Sequence, residues 1–295
     1  MAEADILQHQ LLAAQSADGG WGYQNGTSQG TSWTEPTALA LLALNANRVI
    51  GGASQRGYEW LVRNQRNDGG WAPQPDVDQS TWVSSLAALA LPAPGSTLPH
   101  HCRGISWVVS QIQPADAPLN RFIARLKGVT AGFRPAGGSP WFPGTAAWIA
   151  PTAMSIVALS NHAVNNNNHA LGPHLSEGRQ FILSRRCRDG GWNHGGSAHR
   201  SENSHSYPEM TGMALLALQG VDPSELLLPL DRATEFVQSP TSLEALSWLQ
   251  LGLLAHGRDY RRIKTELPCR TIRDISLRLL ALAGNCSGNK LLTSS

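Results

Sequence analysis

The chain has 295 residues, 41% of them hydrophobic and 15% charged, and a formal net charge of +2. That length can bury a substantial core, and a near-neutral balance without basic runs or basic–aromatic interleaving argues against nucleic acid as a partner. The first residues lack a positive n-region followed by an apolar h-region, so no signal peptide is expected. No apolar run reaches the roughly 18 residues of a membrane span, so no transmembrane segment is expected. Four scattered cysteines without a CxxC spacing point to reduced thiols in a cytoplasmic protein.

Taken in chain order, the elements form a repeat. A helix-like stretch leads to Asp-Gly-Gly-Trp at 18–21, and the buried-helix pattern WTEPTALALLAL follows at 33–44. The amphipathic SQRGYEWLVRNQ (54–65) leads to the second Asp-Gly-Gly-Trp at 68–71, and TWVSSLAALAL (81–91) follows it, with Ser84 in the place of the shared threonine. An outer helix at 105–113 precedes a Pro- and Gly-rich insertion near 114–147, and WIAPTAMSIVAL (148–159) comes next. NNNNHALGPH (165–174) reads as a polar loop. SEGRQFILSRRC (176–187), the third turn at 189–192 and YPEMTGMALLAL (207–218) repeat the unit. Weaker copies pair an outer helix at 232–238 with an inner one at 243–254, and a short outer helix at 260–265 with an inner one at 272–283.

The inner helices carry almost no charge and are apolar all round, as buried helices are. The outer ones carry charge on one face. Six such pairs, stacked side by side, close into a ring without an uncapped apolar end. The expected fold is all-α, an α/α toroid of six helical hairpins forming one domain over 1–295. Trp21, Trp71 and Trp192 are packing wedges in the turns.

The stretch RGYEWLVRNQRNDGGW (56–71) resembles the QW repeat of squalene–hopene and oxidosqualene cyclases. EGRQFILSRRCRDGGW (177–192) is similar, with Cys187 in the place of the glutamine. The PTALALLAL-type inner helices resemble the same terpene cyclase and prenyltransferase superfamily, over about residues 5–283. The resemblance implies one toroid, where triterpene cyclases carry two. In those cyclases an Asp-x-Asp-Asp motif protonates the substrate. Its middle aspartate corresponds here to Glu35, Trp82, Ala150 and Glu209. Asp78, in DVDQS (76–80), lies outside that slot. The slots that hold zinc in prenyltransferases contain Trp82, Val83, Pro36, Pro151 and Met210, so no metal and no other cofactor is expected.

Glu35 and Glu209 are the candidate catalytic acids. A carboxylate in the first turn of a helix is also stabilised by the macrodipole alone, so both readings stand. Trp33, Trp82, Trp141, Phe142, Trp148, Tyr207 and Trp248 are the candidate substrate-binding residues. They either line a central apolar cavity, where aromatic faces suit an apolar ligand or a cationic intermediate, or pack the core. Glu35 and Glu209 should meet at one mouth of the ring near Trp33, Trp148 and Tyr207, with the insertion as a lid. His194, His199 and His205, like His162, His169 and His174, read as solvated loop residues. The leading expectation is a terpene-cyclase-like protein acting on a hydrophobic, isoprenoid small molecule by metal-independent protonation. The alternative is a non-catalytic protein that binds a hydrophobic ligand or serves as a scaffold, having lost the acid motif. The oligomeric state is not legible from the sequence.

Overall fold

The computed structural model describes residues 3–24, 31–91, 97–112, 137–195, 205–263 and 266–292. Among them are eleven α-helices and no strand beyond two isolated bridges. They are α1 (Glu3–Ala13), α2 (Thr34–Ala46), α3 (Gly52–Arg63), α4 (Val83–Ala90), α5 (Leu98–Gln111), α6 (Ile149–Asn166), α7 (Gly172–Leu183), α8 (Pro208–Ala217), α9 (Leu227–Gln238), α10 (Leu243–Leu254) and α11 (Ile272–Ala283).

Six of these, α2, α4, α6, α8, α10 and α11, are the inner helices expected from their Ala- and Leu-rich sequences. Each packs on the next in that order, and α11 packs back on α2, so the ring closes. The outer helices α1, α3, α5 and α7 lie against α11, α2, α4 and α6, respectively, and α9 lies against both α10 and α8. Nearly every residue of α2, α4 and α8 is buried, whereas α3 buries one stripe. This division matches the all-apolar and amphipathic patterns of the sequence.

One clasp recurs at every Gly-Gly turn. The backbone N–H of Trp21, Trp71 and Trp192 donates to the hydroxyl oxygen of Thr37, Ser84 and Thr211 at 2.9, 2.7 and 3.0 Å, which fixes the turn on the following inner helix. The indole N–H of each donates to a carbonyl of the preceding outer helix, at Leu11, Leu61 and Ile182. Asp18 then accepts from the Gly20 amide, the Ser32 hydroxyl and the Trp60 indole, and Asp68 does the same with Gly70, Ser80 and Trp107. Asp189 repeats the pattern with Gly191 and Ser206, but meets Arg232 where the others meet tryptophan. The first glycine of each pair has φ between +93° and +96° and abuts the backbone or side chain of the next outer helix, so only glycine fits.

The structure corrects several sequence expectations. A fourth turn, Gly137-Gly138-Ser139, ends the insertion: Gly137 has φ +88° and the Ser139 amide donates to Thr152. It lacks the tryptophan that marks the others. Arg186, not Cys187, stands in the place of Gln15 and Gln65. Those glutamines donate to carbonyls at the start of the next outer helix, Ala53 and His100, and Arg186 reaches the Glu225 carbonyl in the same way. Cys187 instead makes the backbone bonds that Ser16 and Arg66 make. The expected polar loop at 165–174 is largely helical, because α6 runs on to Asn166 and α7 begins at Gly172, with a 3₁₀ turn (His169–Leu171) between. The described residues between α10 and α11 form turns and extended chain, not the short helix expected at 260–265. The outer helices α5 and α9 begin at Leu98 and Leu227, earlier than expected. Residues 113–136 of the insertion, and His199, lie outside the described residues.

His162 is buried in α6 and is no loop residue. Its Nδ1 lies 2.9 Å from His101 Nε2, and the two rings stack at 5.1 Å. The C-terminal segment 284–292 crosses the end of the ring where the inner helices finish. There the Lys290 ammonium donates to the carbonyls of Leu89 (2.9 Å), Ala90 (3.3 Å) and Leu91 (2.8 Å), capping α4, and Asn161 and Gln219 bind the carbonyls of Lys290 and Leu291. Burial pulls the Lys290 pKa down to about 8.

Two predictions follow from these contacts. Trp71 is fully buried, is bonded to α3 and α4, and lies against Gly104 of α5, so it joins three helices. Trp71→Ala should cost about 3–5 kcal/mol; chemical denaturation checks this, and a loss below about 1 kcal/mol would refute the wedge role. Burial also lowers the pKa values of His101, His162 and His256. The fold thus holds these rings neutral, and the unfolded chain takes up protons below about pH 6.5. Stability should be full above that pH and fall as the pH drops below it. Thermal unfolding at pH 7.5 and 5.5 measures the difference, and the lower value is expected at pH 5.5.

Candidate functional site

The ring presents its helix N-termini at one mouth. The second residues of α2, α6, α8, α10 and α11 are Glu35, Ala150, Glu209, Glu244 and Arg273, and Trp82 at the head of α4 completes the set. Thr37 and Thr211 lie two residues further on and face outward to the turn clasps. At about 100° per residue, the second-position side chains therefore turn toward the ring axis. One helical turn deeper, on the same face, come Leu39, Leu86, Met154, Met213, Trp248 and Leu277, all buried. The mouth thus has a charged rim above an apolar floor.

Arg273 organises the rim. Its guanidinium donates to Glu35 at 3.3 Å and to Glu244 in a closer contact, tying α11 to its neighbours α2 and α10. The other oxygen of Glu35 accepts from the Tyr23 hydroxyl. Tyr23 comes from the chain just after the first turn, and its carbonyl accepts from the Ile272 amide at 3.0 Å, which seats it on α11. The same handover runs around the mouth: Thr34, Trp82 and Ile149 donate to the carbonyls of Pro73, Trp141 and His194.

Burial raises the pKa of Glu244. The neighbouring charges of Glu35 and Glu209 add to the rise, and Arg273 opposes it. Burial also raises the Tyr23 pKa, and the charge and hydrogen bond of Glu35 raise it further. For Arg273, burial alone would lower the pKa, but Glu35 and Glu244 outweigh it and hold the group above its ordinary value.

Of the expected acids, Glu35 is buried in the first turn of α2 and Glu209 is half-buried in the first turn of α8. The charge of Glu209 reaches Glu244. The expected aromatics divide. Trp33 meets Tyr23 edge-on at 5.5 Å, Trp82 meets Trp141 at 5.0 Å, and Tyr207 meets His194 at 5.3 Å. Trp148 is half-buried immediately before α6, and Phe142 is exposed beside Trp141. Trp248 is 2% exposed in the floor, and its indole N–H has no partner. None of these residues lines the cavity of about 450 Å³ found at the opposite mouth.

Tyr23 escaped the sequence reading, and so did Glu244 and Arg273, because α10 and α11 carry Leu246 and Ile275 where the other copies carry Thr or Ser. Their helix starts were nonetheless visible. Ser242 caps α10, and Thr271 forms a capping box with Asp274 on α11. Counting two residues on from each cap reaches Glu244 and Arg273. Among the described residues no group of three His, Cys, Asp or Glu is placed to hold a metal ion, and no helix is long and apolar enough to cross a membrane. The four cysteines are free.

Comparison with solved structures adds the fold's relatives. A variant of the type II terpene cyclase MstE from Scytonema, in complex with geranylgeranyl dihydroxybenzoate, matches 95% of this chain and 76% of its own, at 15% identity and a TM-score of 0.56. The fold is a terpene-cyclase-like α/α toroid. An ent-copalyl diphosphate synthase from Streptomyces platensis matches 85% of this chain over 50% of its own, at 16% identity and a TM-score of 0.55. A GH8 endo-β-1,4-glucanase from an Achatina fulica gut metagenomic library matches 96% and 98%, at 17% identity and 0.60. At such identities the likeness establishes the fold alone. No protein-family profile matches the chain, and no curated protein matches it.

The Tyr23–Glu35 contact is directly testable. Glu35→Gln removes the charge that helps raise the phenol's pKa, so one tyrosine transition in a 295 nm absorbance titration should move to lower pH. An unchanged titration would break the link between the two groups.

Proposed function

We propose that the chain works as a single toroid domain whose N-terminal mouth is an acid site for a hydrophobic, isoprenoid small molecule, acting by metal-independent protonation. The observation that carries this reading is the carboxylate set Glu35, Glu209 and Glu244 at equivalent positions of three inner helices, with Glu244's pKa raised by burial. A raised pKa favours the protonated form of the carboxyl, the form that general-acid work requires. Both oxygens of Glu35 accept hydrogen bonds, from Tyr23 and Arg273, which suits it to orienting Arg273. Glu244 is bound by Arg273 through one oxygen, and its other oxygen is the better proton source.

In this scheme the Glu244 carboxyl gives its proton to a carbon of a substrate double bond, and the carbocation formed is attacked by a second double bond to close a ring. A C–H beside the final cation loses its proton to Glu209, which restores a double bond. The net reaction is an isomerisation, and proton return from Glu209 through water resets Glu244. The aromatic pairs Tyr23–Trp33 and Trp82–Trp141 support a cationic intermediate through their ring faces, and the apolar floor beneath the rim supports a hydrocarbon chain. The isoprenoid class rests on the sequence resemblance and on the substrate seen in the Scytonema cyclase.

The test is incubation with a panel of polyprenyl alcohols and diphosphates, with gas chromatography–mass spectrometry for cyclic products of unchanged mass. Glu244→Gln should abolish turnover while sparing substrate binding. Arg273→Gln removes the group that lowers the Glu244 pKa, so the alkaline limb of the pH–rate profile should move upward. Full turnover in Glu244→Gln would remove that residue as the acid. Tight polyprenyl binding by the wild type without any product would favour the non-catalytic binding role.

A further inference from the structure

At the opposite mouth, the C-terminal ends of α6, α8 and α10 and the side of α7 enclose a cavity of about 450 Å³, within the range of small-molecule pockets, about 300–1,000 Å³. Its wall is mostly apolar, with Ala163, Val164, Leu175, Leu254 and Leu292. It also holds two polar groups that the fold leaves unanswered. Ser160 is 8% exposed, and its hydroxyl is buried with no hydrogen-bond partner; the Nε–H of Arg179 is buried with none either. No wall residue is acidic, and Arg179 is the wall's one cation among the described residues. Buried polar groups in folded proteins are nearly always paired, so a pair of unanswered donors on one pocket wall marks a missing acceptor.

We propose that this pocket binds a small amphiphile with a carboxylate head, the head on Arg179 and Ser160 and the aliphatic tail along Val164, Leu175 and Leu254. The planar guanidinium fork matches a carboxylate, and the serine hydroxyl supplies a further donor. Three features select a monoanion over a phosphate. The wall offers one cation. The inner helices end here, so their dipoles present partial negative charge, which opposes any anion and a dianion most, leaving Arg179 to offset a single charge. The remaining wall is aliphatic and rewards a tail. Burial lowers the Arg179 pKa, the mark of a desolvated cation for which a counter-ion is favourable. The segment 284–292 forms one side of the pocket through Asn285 and Leu292. Occupancy would therefore also reinforce the closure of the ring.

Isothermal titration with decanoate, decanol and inorganic phosphate tests the assignment at pH 7.5. Decanoate should bind at least about tenfold more tightly than decanol, the return expected from one charge-assisted bidentate contact. Phosphate should not displace it. Arg179→Gln should weaken decanoate by about tenfold and leave decanol unchanged. Val164 is 59% exposed at the pocket's edge, so Val164→Glu should fold as wild type, as thermal unfolding can verify, and should weaken decanoate by repulsion. Glu244→Gln at the other mouth should leave decanoate binding intact. Equal binding of decanoate and decanol, full affinity in Arg179→Gln, displacement by phosphate, or loss of binding in Glu244→Gln would each overturn the proposal.

Discussion

The bond on which the molecule depends is the one from the backbone N–H of the residue after each Gly-Gly pair to a Thr or Ser hydroxyl in the first turn of the next inner helix. It sets how far each inner helix stands from its outer partner and which face it turns outward. The indole N–H, reaching back to the outer helix, fixes the other side of the wedge. Because Thr37, Ser84, Thr152 and Thr211 all make this bond, α2, α4, α6 and α8 share one height and one rotation, and α10 and α11 continue the ring without it. A helix rotated by one residue, about 100°, would aim its outward hydroxyl at its neighbour. The aspartate before each of the three Gly-Gly-Trp turns extends the constraint to the next outer helix.

Shared height and rotation give the two mouths opposite characters. Six helix N-termini converge at one end, and their partial positive charge favours carboxylates there. Three of the six second positions hold glutamate, and Arg273 bridges two of them, so three carboxylates gather at one rim with a single bridging cation. At the other end the converging carbonyls favour cations, and Lys290 meets three of them on α4. The aromatic edge pairs sit at the acidic mouth because the handover bonds bring the chain after each turn onto the start of an inner helix. The site is thus a consequence of the repeat.

The sequence disclosed those parts of the fold that have a local signature. All six inner helices were legible because a helix buried on every side must be apolar on every side. The three complete turns were legible because glycine and tryptophan are each irreplaceable there. Legibility failed where a different residue does the same work. Ser139 takes the place of the turn tryptophan, so that turn fell out of the pattern, and Arg186 takes that of the glutamine, so in the third copy the glutamine's place was read one residue late, at Cys187. Among the described residues the connection from α10 to α11 carries no helix, and α1, from the far end of the chain, covers α11, a long-range pairing that no local window contains. The rim was half legible. Glu35 and Glu209 stand before the shared threonine, whereas Glu244 and Arg273 stand before Leu246 and Ile275 and are recognised only by counting from the helix caps. His162 was misread because its partner, His101, lies on another helix.

A toroid of this kind matches both terpene cyclases and a glucanase, and the geometry explains why one scaffold serves such different molecules. The closed ring supplies a mouth where carboxylates are electrostatically welcome and where six side chains face one axis. What is done there depends on those six side chains and on the floor below. A polar floor would hold a sugar by its hydroxyls. Here the floor is Leu39, Leu86, Met154, Met213, Trp248 and Leu277, which offers hydroxyl-bearing ligands nothing beyond the unpartnered indole N–H of Trp248. Binding a sugar on such a surface would strip water from its hydroxyls without replacing those hydrogen bonds, at a cost of about 1–3 kcal/mol each. A hydrocarbon chain has no such cost. The floor, more than the fold or the acids, therefore disfavours a glycan at this mouth.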